Sequence, residues 1–297
     1  MKLMICYLAL ASGVLAQSIH GQNSGLGNKI QDPRPFKAAI DALEDRFGVP
    51  INYEDPRFEA TDEIIDVTDQ VQNTQQRRAN PNVRIKVPKG GVFVIDLIAP
   101  NATVPSRDDI QSLLIQLRSS YDAQALPGKF VVAQISTAHG SNLVVEPIAV
   151  RNKEGVWTKT PPVLDSPITI PSATRSGFET LTQIASAIGE SSGFRTVVGT
   201  VPLNALAHVT MNFGARREPA RTALLQFLQQ LGGVQALAGP SPQMGFSYRL
   251  LFDPSYRLYV LNIQSVRLNA SSDKQDAASQ ISEGSAAGGT SPQFRKQ

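Results

Sequence analysis

The chain has almost none of the side chains that carry covalent or metal chemistry. Its single cysteine, Cys6, lies near the amino terminus, and its three histidines, His20, His139 and His208, stand far apart. No two histidines have the spacing of a metal site, and no H-E-x-x-H sequence occurs. Beyond Cys6 there is no thiol, which excludes disulfides, cysteine nucleophiles and thiolate metal sites. We expect neither a metal nor another cofactor.

Clustered charge of either sign is also scarce. Charged residues make up 18% of the chain and the net charge is only +3. Arginines stand side by side only at Arg77-Arg78 and Arg216-Arg217. Nucleic-acid binding depends on clustered cations that displace counterions from phosphates. We therefore expect no nucleic-acid partner.

The two ends of the chain differ from its middle. Lys2, an apolar run that ends at Leu15 and the small residue Ala16 predict a signal peptide over residues 1–16, cleaved after Ala16. The expected location is therefore periplasmic or secreted. Residues 17–31 are predicted to be flexible, and residues 269–297, rich in Ser, Ala, Gly and Gln, to form a disordered tail. No later apolar stretch is long enough to cross a bilayer, so we expect no integral membrane segment in the mature chain.

Residues 176–268 predict a compact unit with the order helix, strand, strand, helix, strand, strand. Ser176 and Glu179 form a capping box at the start of the first helix. Apolar residues recur there at helical spacing, and Gly189 is predicted to end the helix. The apolar residues of that first helical face are Leu181, Ile184 and Ile188.

Residues 32–151 predict a longer copy of the same order. Its first helix is expected to end at Gly48, and its second to begin at Ser106, with Asp109 completing a capping box. Between these helices lies an inserted segment, residues 59–91, in which acidic residues precede basic ones and which reads as a solvated loop. Alternating apolar residues before and after Gly90-Gly91 predict an inserted hairpin that joins residues 83–87 to residues 92–98.

The spacing of matching residues supports a duplication. Ile40 aligns with Leu181 at an offset of 141 residues, which also places Tyr53 on Phe194. Leu113 aligns with Leu224 at an offset of 111, and the difference of 30 residues is the inserted segment. Several elements that recur in the same order are typical of an internal repeat.

These patterns predict an α+β fold with two similar domains. Each domain should pack two helices on one face of a small, mostly antiparallel sheet, because each helix has one apolar face that a sheet can cover. Residues 152–175 contain several prolines and are predicted to be a linker that holds the two domains apart. The prolines are Pro161, Pro162, Pro167 and Pro171.

The second domain resembles the short N-terminal domain shared by secretins and TonB-dependent receptors, called here an STN-like domain. The resemblance covers Ser176 to Arg267, and it extends to the first domain only through Phe36 to Pro56 and Ser106 to Val150. It implies a bacterial, non-catalytic periplasmic module that contacts other proteins. The segments that carry it are Gly193–Val198, Val201–Leu203, Val209–Phe213, Ala223–Leu228, Tyr248–Leu250 and Tyr259–Ile263.

The leading hypothesis is therefore an exported, non-catalytic protein- or peptide-binding module of the bacterial cell envelope, an accessory of a secretion or outer-membrane transport complex. Small open sheets leave backbone groups unpaired, so addition of a partner's strand at a sheet edge is the expected mode of binding. The predicted interaction surface comprises Tyr248, Tyr256, Tyr259, Arg77 and Arg78.

Two alternatives remain open. Gly189 to Gly193 matches the G-x-S-x-G sequence of serine hydrolases, with Ser191 as nucleophile and His208 and Asp253 as helpers. That sequence requires a strand before the serine and a helix after it, whereas here a helix is predicted before and a strand after. The other alternative is an envelope adaptor that binds glycan through the tyrosines of the second domain.

Overall fold

The computed structural model describes residues 29–72, 74–79, 81–95, 105–236 and 243–268. The predicted signal peptide, the predicted tail and all but the end of the predicted flexible segment lie outside these ranges. Residues 96–98 of the predicted inserted hairpin lie outside them as well. Within the described ranges, no helix combines the length and the hydrophobicity that crossing a membrane requires.

The fold is α+β, as predicted, and its first unit comprises the described residues from 29 to 151. A short 3-10 helix, Thr61–Glu63, precedes the third strand of this unit. The elements are β1 (Lys29–Asp32), α1 (Pro35–Phe47), β2 (Ile51–Glu54), β3 (Ile64–Asp66), α2 (Thr68–Val71), α3 (Thr74–Ala79), β4 (Lys86–Pro88), β5 (Gly91–Val94), α4 (Arg107–Ala123), β6 (Lys129–Thr137) and β7 (Gly140–Arg151).

A connecting segment, residues 152–166, holds β8 (Trp157–Lys159) and a 3-10 helix, Val163–Asp165. The second unit comprises the described residues from 167 to 268. Its elements are β9 (Pro167–Ser176), α5 (Gly177–Ser192), β10 (Thr196–Val198), α6 (Leu203–Ala207), β11 (Thr210–Pro219), α7 (Ala220–Ala236), β12 (Met244–Asp253) and β13 (Leu258–Arg267).

The two units repeat one arrangement of strands. In the first, β1 pairs antiparallel with β5, β2 runs parallel to β7, and β7 pairs antiparallel with β6. In the second, β9 pairs antiparallel with β11, β10 runs parallel to β13, and β13 pairs antiparallel with β12. Ile51 lies opposite Leu143 and Thr196 opposite Tyr259, which are equivalent positions. Tyr53 therefore corresponds to Val198, and its predicted alignment with Phe194 is wrong. The same strand topology therefore occurs twice in one chain.

One mixed sheet runs through both units, in the order β10-β13-β12-β2-β7-β6, with β8 added to β7. The units meet where β12 lies parallel to β2, with Arg249 opposite Tyr53 and Leu250 opposite Glu54. The Asp55 N–H extends this pairing by donating to the Leu250 carbonyl at 2.8 Å. The described parts of the two units are thus joined by backbone hydrogen bonds.

Half of the segment predicted as a proline-rich linker lies in strands, which the prediction of a simple spacer did not include. Residues 152–175 contain β8 and nearly all of β9. Pro167 and Pro171 lie in β9, which among the described residues pairs only with β11. A strand with one partner tolerates proline, because the missing N–H can fall on its unpaired side.

The helices of each unit contact two sheets rather than one face of a single sheet. Helix α5 contacts β9 and β10, and α7 contacts β11 and β12. Helix α1 likewise contacts β1, β5 and β2. Each unit consequently has its own hydrophobic core, and the two cores meet along the shared sheet.

The predicted helix starts are confirmed, but the predicted end of α5 is wrong. Ser106 with Asp109, and Ser176 with Glu179, form capping boxes as expected. Helix α5 continues through Gly189 for one more turn and ends at Gly193, which adopts a left-handed φ of 73°. A Cβ on Gly189 would lie 3.4 Å from the backbone of the returning chain, which is ordinary van der Waals contact, so the left-handed turn needs glycine at Gly193 and not at Gly189.

The predicted inserted hairpin is also wrong. Strand β4 pairs with β3, whereas β5 pairs with β1. The turn between β4 and β5 packs against the start of α1, and a Cβ on Gly90 would lie 2.1 Å from the Asp32 carbonyl oxygen. The glycine pair therefore brings β5 onto β1 instead of folding it back onto β4.

The insertion, defined here as residues 57–91 because it includes the two residues that lead into the inserted segment, contacts the second unit, so it is not wholly the solvated loop that was predicted. Phe58 is buried in the hydrophobic core of the second unit. The Arg57 guanidinium lies 4.9 Å from the centre of the Phe194 ring. The Lys86 N–H donates to Ser255 Oγ at 2.7 Å. The insertion is thus a second connection between the units, in addition to the shared sheet.

Candidate functional site

The predicted tyrosine surface does not exist as a surface. Tyr248 and Tyr259 are 0% and 2% exposed, and only Tyr256 is open, at 55%. The Tyr248 hydroxyl donates to Glu54 Oε1 at 2.8 Å, so it faces the first unit. The Tyr259 ring instead packs against Phe194 and Phe252, within the hydrophobic core of the second unit.

Burial also changes the acidity of these two phenols. Burial raises the pKa of Tyr248 well above its ordinary value, and the neighbouring Glu54 carboxylate adds to the rise. The pKa of Tyr259 is raised mainly by burial, with Asp55 adding to it. Both tyrosines therefore stay protonated at physiological pH and act as core residues.

The predicted arginines lie on α3 in the inserted segment. The Arg77 guanidinium forms an ion pair with Asp69 at 2.7 Å, and both side chains are largely exposed. Arg78 is exposed on the same helix. The structure thus brings together no surface that contains all five predicted residues.

The serine of the hydrolase alternative lies in the last turn of α5, because Gly189 to Ser192 belong to that helix. Its hydroxyl donates to the Pro167 carbonyl oxygen at 2.6 Å. Asp253 accepts backbone N–H bonds from Ser255 and Tyr256 within a turn. A hydrolase nucleophile instead stands on a strained turn between a strand and a helix.

Sequence patterns missed a network of buried charges that lines the contact between the units, called here the junction. Arg249 is its centre: its Nη2 lies 2.7 Å from Glu44 Oε2, and its Nε donates to Asp41 Oδ1 at 2.9 Å. Its Nη1 also donates to the Ile51 carbonyl at 2.5 Å. Arg249 is fully buried, so the second unit contributes a cation whose counter-ions lie in the first unit.

A second arginine of the junction lies at the start of α7. Arg221 forms a two-pronged pair with Glu54, at 2.6 and 3.1 Å, and its Nη1 donates to Asp165 at 2.5 Å. Glu146 Oε2 lies 3.4 Å from the same Nη1. Burial alone lowers the pKa of this guanidinium, but Glu54 more than reverses the effect, so Arg221 stays charged.

Asp55 completes the junction at the far end of β2. It accepts hydrogen bonds from Arg34 at 2.6 Å, from Tyr53 at 2.9 Å and from the Phe252 N–H at 3.0 Å. The charges of the junction are therefore paired with one another, which favours a structural role over ligand binding. Among the described residues, no group of His, Cys, Asp and Glu could hold a metal ion.

One apolar depression of about 390 Å³ opens on the second unit. No charged side chain lines it, so it offers nothing for acid–base or nucleophilic chemistry. Its walls are formed by Pro202, Leu203, Asn204, Ala205, Met244, Phe246 and Ser265.

The free side of β6, called here the open edge, is the feature best suited to binding. β6 is the last strand of the shared sheet and pairs only with β7 in the part of the chain that the structure describes. Its nine residues contain no proline or glycine, and Lys129 is the only charged one. Natural edge strands are commonly protected by charges, prolines or bulges. Apart from the charge of Lys129 and a register shift at the same residue, β6 lacks these features.

The second unit shows which backbone groups of β6 point outward. Leu250 pairs with Leu261, and its carbonyl oxygen faces β2, where it accepts from Asp55. Val132 has the equivalent position in the first unit, since it pairs with Val145. The N–H and C=O groups of Val132 therefore face away from β7, because both groups of one residue in a strand point to the same side.

A strand over residues 130–136 is part of the strand order that the sequence predicted for the first domain. What the sequence did not show is that this strand ends the sheet, since that depends on how the two units join. Comparisons of the chain with protein-family models, with curated proteins and with solved structures find no match.

Proposed function

We propose that the chain is an exported, non-catalytic binding protein of the bacterial cell envelope that receives an extended protein or peptide segment along the open edge of β6. The observation that carries this proposal is the state of the two equivalent edges. In the second unit the outer edge of β12 is occupied by β2, whereas in the first unit no strand among the described residues pairs with the outer edge of β6. Since β12 already pairs with an added strand, β2, its counterpart β6 can pair with an added strand in the same way.

The chemistry of strand addition fits β6. Backbone hydrogen bonds to outward groups such as those of Val132 supply affinity for any extended segment, and the neighbouring side chains supply selectivity. Val131, Val132 and Ala133 are partly exposed and uncharged. We therefore expect partners whose paired segment is apolar and free of proline.

The resemblance of residues 176–267 to an STN-like domain supports the envelope location and the contact with other proteins. It also supports a place as an accessory of a secretion or outer-membrane transport complex. The hydrolase alternative has less support, because Ser191 lies within a helix. The glycan alternative has less support, because Tyr256 is the only exposed tyrosine of the predicted three.

The proposal is tested with two matched variants at one position. Val132→Pro removes the outward N–H donor but leaves the β6–β7 ladder intact, whereas Val132→Thr keeps the donor and nearly the same volume. Both variants and the unchanged chain are probed on an array of peptides that covers envelope proteins. We expect the unchanged chain and Val132→Thr to bind the same extended apolar peptides, with at least tenfold weaker binding by Val132→Pro.

Either of two results would contradict strand addition at β6. One is that no peptide binds the unchanged chain above the background of the array. The other is that Val132→Pro binds the same peptides as strongly as Val132→Thr, which would place the binding surface elsewhere.

A further inference from the structure

We infer that the open edge of β6 receives β10 of a second copy of this chain, so that copies associate head to tail through one continuous sheet. This inference rests on the proposed use of β6 and names the occupant. It follows from the internal repeat, because the chain already contains one contact of this kind.

The existing contact is the parallel pairing of β12 with β2 at the junction. β12 is the counterpart of β6, and β2 is the counterpart of β10, as their positions in the two units show. Repeating the junction once more along the sheet therefore places β10 of another copy beside β6. Within one copy, the second unit offers β12 to β2 of the first unit. Between copies, the first unit would offer β6 to β10 in the second unit of the next copy.

Both strands that this contact needs lie at the ends of the sheet. The order β10-β13-β12-β2-β7-β6 leaves β10 at one end and β6 at the other. Among the described residues, β10 pairs only with β13, through its residues 196–198. The two unpaired edges are therefore on opposite sides of one molecule, which is the arrangement required for head-to-tail growth.

The register of the new contact can be read from the old one. Arg249 lies opposite Tyr53 in the junction. Val131 has the place of Arg249, because it pairs with Glu146 as Arg249 pairs with Asn262. Val198 has the place of Tyr53 by the same reasoning, so Val131 should lie opposite Val198 of the next copy.

The residues at these positions are compatible with contact. Val131 and Val198 are partly exposed valines, and pairing them buries no unpaired charge. Like charges directly opposite each other would have opposed pairing, but this register places none there. The shape and polarity of the two edges therefore permit the contact that the repeat suggests.

The contact between copies should be weaker than the junction. The buried ion pairs of Arg249 and Arg221 have no counterpart, because Val131 stands where Arg249 stands. The Thr200 N–H, which has the place of the Asp55 N–H, is already held by Asn262 Oδ1 at 2.7 Å. We therefore expect reversible, concentration-dependent association. A contact between two different surfaces gives rings when it closes and filaments when it does not.

Sedimentation of the full chain with blocked edges tests this inference. Val132→Pro blocks β6, and Val198→Pro blocks the outward N–H of β10; Val132→Thr and Val198→Thr are the controls. Over concentrations up to about 1 mM, the weak end of specific association, the unchanged chain and both threonine variants should grow in mass. Each proline variant alone should remain a monomer.

An equimolar mixture of the two proline variants gives the sharpest result. One protein then offers only β6 and the other only β10, so the mixture should form dimers of one copy each and grow no further. Self-association of Val198→Pro alone would overturn the inference in favour of symmetric pairing of two β6 strands. Absence of growth in the unchanged chain would also overturn it.

Cysteine cross-linking keeps the test informative if a proline variant does not fold. In the full chain with Cys6→Ser, which has no other cysteine, Val131→Cys and Val198→Cys are made separately. Under mild oxidation, a mixture of the two should yield a disulfide-linked dimer, at least tenfold more than either protein alone. Equal yields in the mixture and in the single proteins would contradict the register.

The peptide array separates this inference from the proposed function. If copies do not associate but apolar peptides still bind in a Val132-dependent way, the proposed use of β6 stands and only its occupant is wrong. If neither copies nor peptides bind, both proposals fail.

Discussion

The two units form the same strand pairings, yet the equivalent edges of their sheets have opposite fates. β12 is covered by β2 and sealed by buried ion pairs, whereas β6 lies open with valines at the equivalent positions. Under the proposal made above for β6, the duplicated fold uses the same edge in two ways. At β12, the buried charge of Arg249 stabilises the pairing with β2 of the same chain. At β6, the equivalent residue is the apolar Val131, and no such ion pair forms there.

The units also differ in the segment that follows the equivalent strands β2 and β10. The first unit carries the insertion (residues 57–91), which places Phe58 in the core of the second unit. The second unit has α6 between its equivalent strands instead. Permanent joining therefore uses three features together: the β2–β12 pairing, the buried ion pairs and the insertion. The open edge offers only backbone pairing and small apolar side chains.

The largest expected difference between the equivalent edges is in the free energy of unfolding that is lost when Arg249 is replaced by leucine and when Val131 is replaced by alanine. Arg249→Leu leaves Glu44 buried without its cation, which typically costs about 3–5 kcal/mol. Val131→Ala removes part of a half-buried side chain and should cost about 1 kcal/mol. Denaturant unfolding of the two variants measures both values.

Neutralising the carboxylate provides the control for Arg249. Glu44→Gln added to Arg249→Leu removes the unpaired charge and should recover part of the lost stability. If Arg249→Leu costs no more than Val131→Ala, the ion pair does not distinguish the two edges, and the comparison between them loses its physical basis.

The insertion should matter through one buried ring. Phe58→Ala removes an aromatic side chain from the core of the second unit, and such changes cost about 3 kcal/mol or more. Ile65→Ala, on β3 of the same insertion, alters a side chain that is 37% exposed and should cost well under half as much. Thermal unfolding followed by circular dichroism compares the two variants.

A specific result would show that the insertion does not connect the units. If Phe58→Ala and Ile65→Ala lower the melting temperature equally, the Phe58 ring is not held in that core. If Phe58→Ala instead produces two separate unfolding transitions, the insertion is needed for the units to unfold together.

Local signals in the sequence predicted the local structure well. The capping boxes at Ser106 and Ser176, and the glycine stop at Gly48, are sterically self-contained and appear as expected. The hairpin of β6 and β7 also follows from alternation and a short turn. Each of these features depends on residues within a few positions of one another.

Pairing between distant segments could not be predicted in the same way. A proline-rich stretch reads as a linker, because nothing local shows that β9 will find β11 some 40 residues later. Gly189 reads as a helix stop because glycine often ends helices, but the chain turns left-handed only at Gly193, one turn later. Strand period alone does not decide whether β5 pairs with β4 or with β1.

The predicted interaction surface failed for the same physical reason. Tyrosines near a hairpin look exposed in the sequence. In the fold, the Tyr248 hydroxyl faces Glu54 of the first unit. The Tyr259 ring packs on Phe194 and Phe252 in the core of its own unit. The expectation of binding at a sheet edge does not depend on these tyrosines, so their burial does not affect it. The location of that edge on β6 required knowing which edge of each unit was already occupied.

The smallest expected difference concerns Glu146, which lies beside the junction on β7. Burial raises the pKa of its carboxyl to about 7, with Glu54 and Asp165 adding to the rise and Arg221 opposing it. An unfolded glutamate titrates near pH 4.3. Between these values the folded state binds more protons than the unfolded state, so this group makes stability fall as pH rises from about 4 to about 7.

Glu146→Gln should remove that part of the pH dependence. We expect the denaturant midpoints of the unchanged chain to fall more between pH 5 and pH 8 than those of the variant, with the two proteins closest in stability at the acidic end. Glu154→Gln, at an exposed position in the connecting segment, is the control and should keep the slope of the unchanged chain. The counterpart of Glu146 in the second unit is the uncharged Asn262, so this pH dependence has no equivalent there. A Glu146→Gln slope equal to that of Glu154→Gln would mean that the carboxyl is not held in the buried, acidic surroundings the structure gives it.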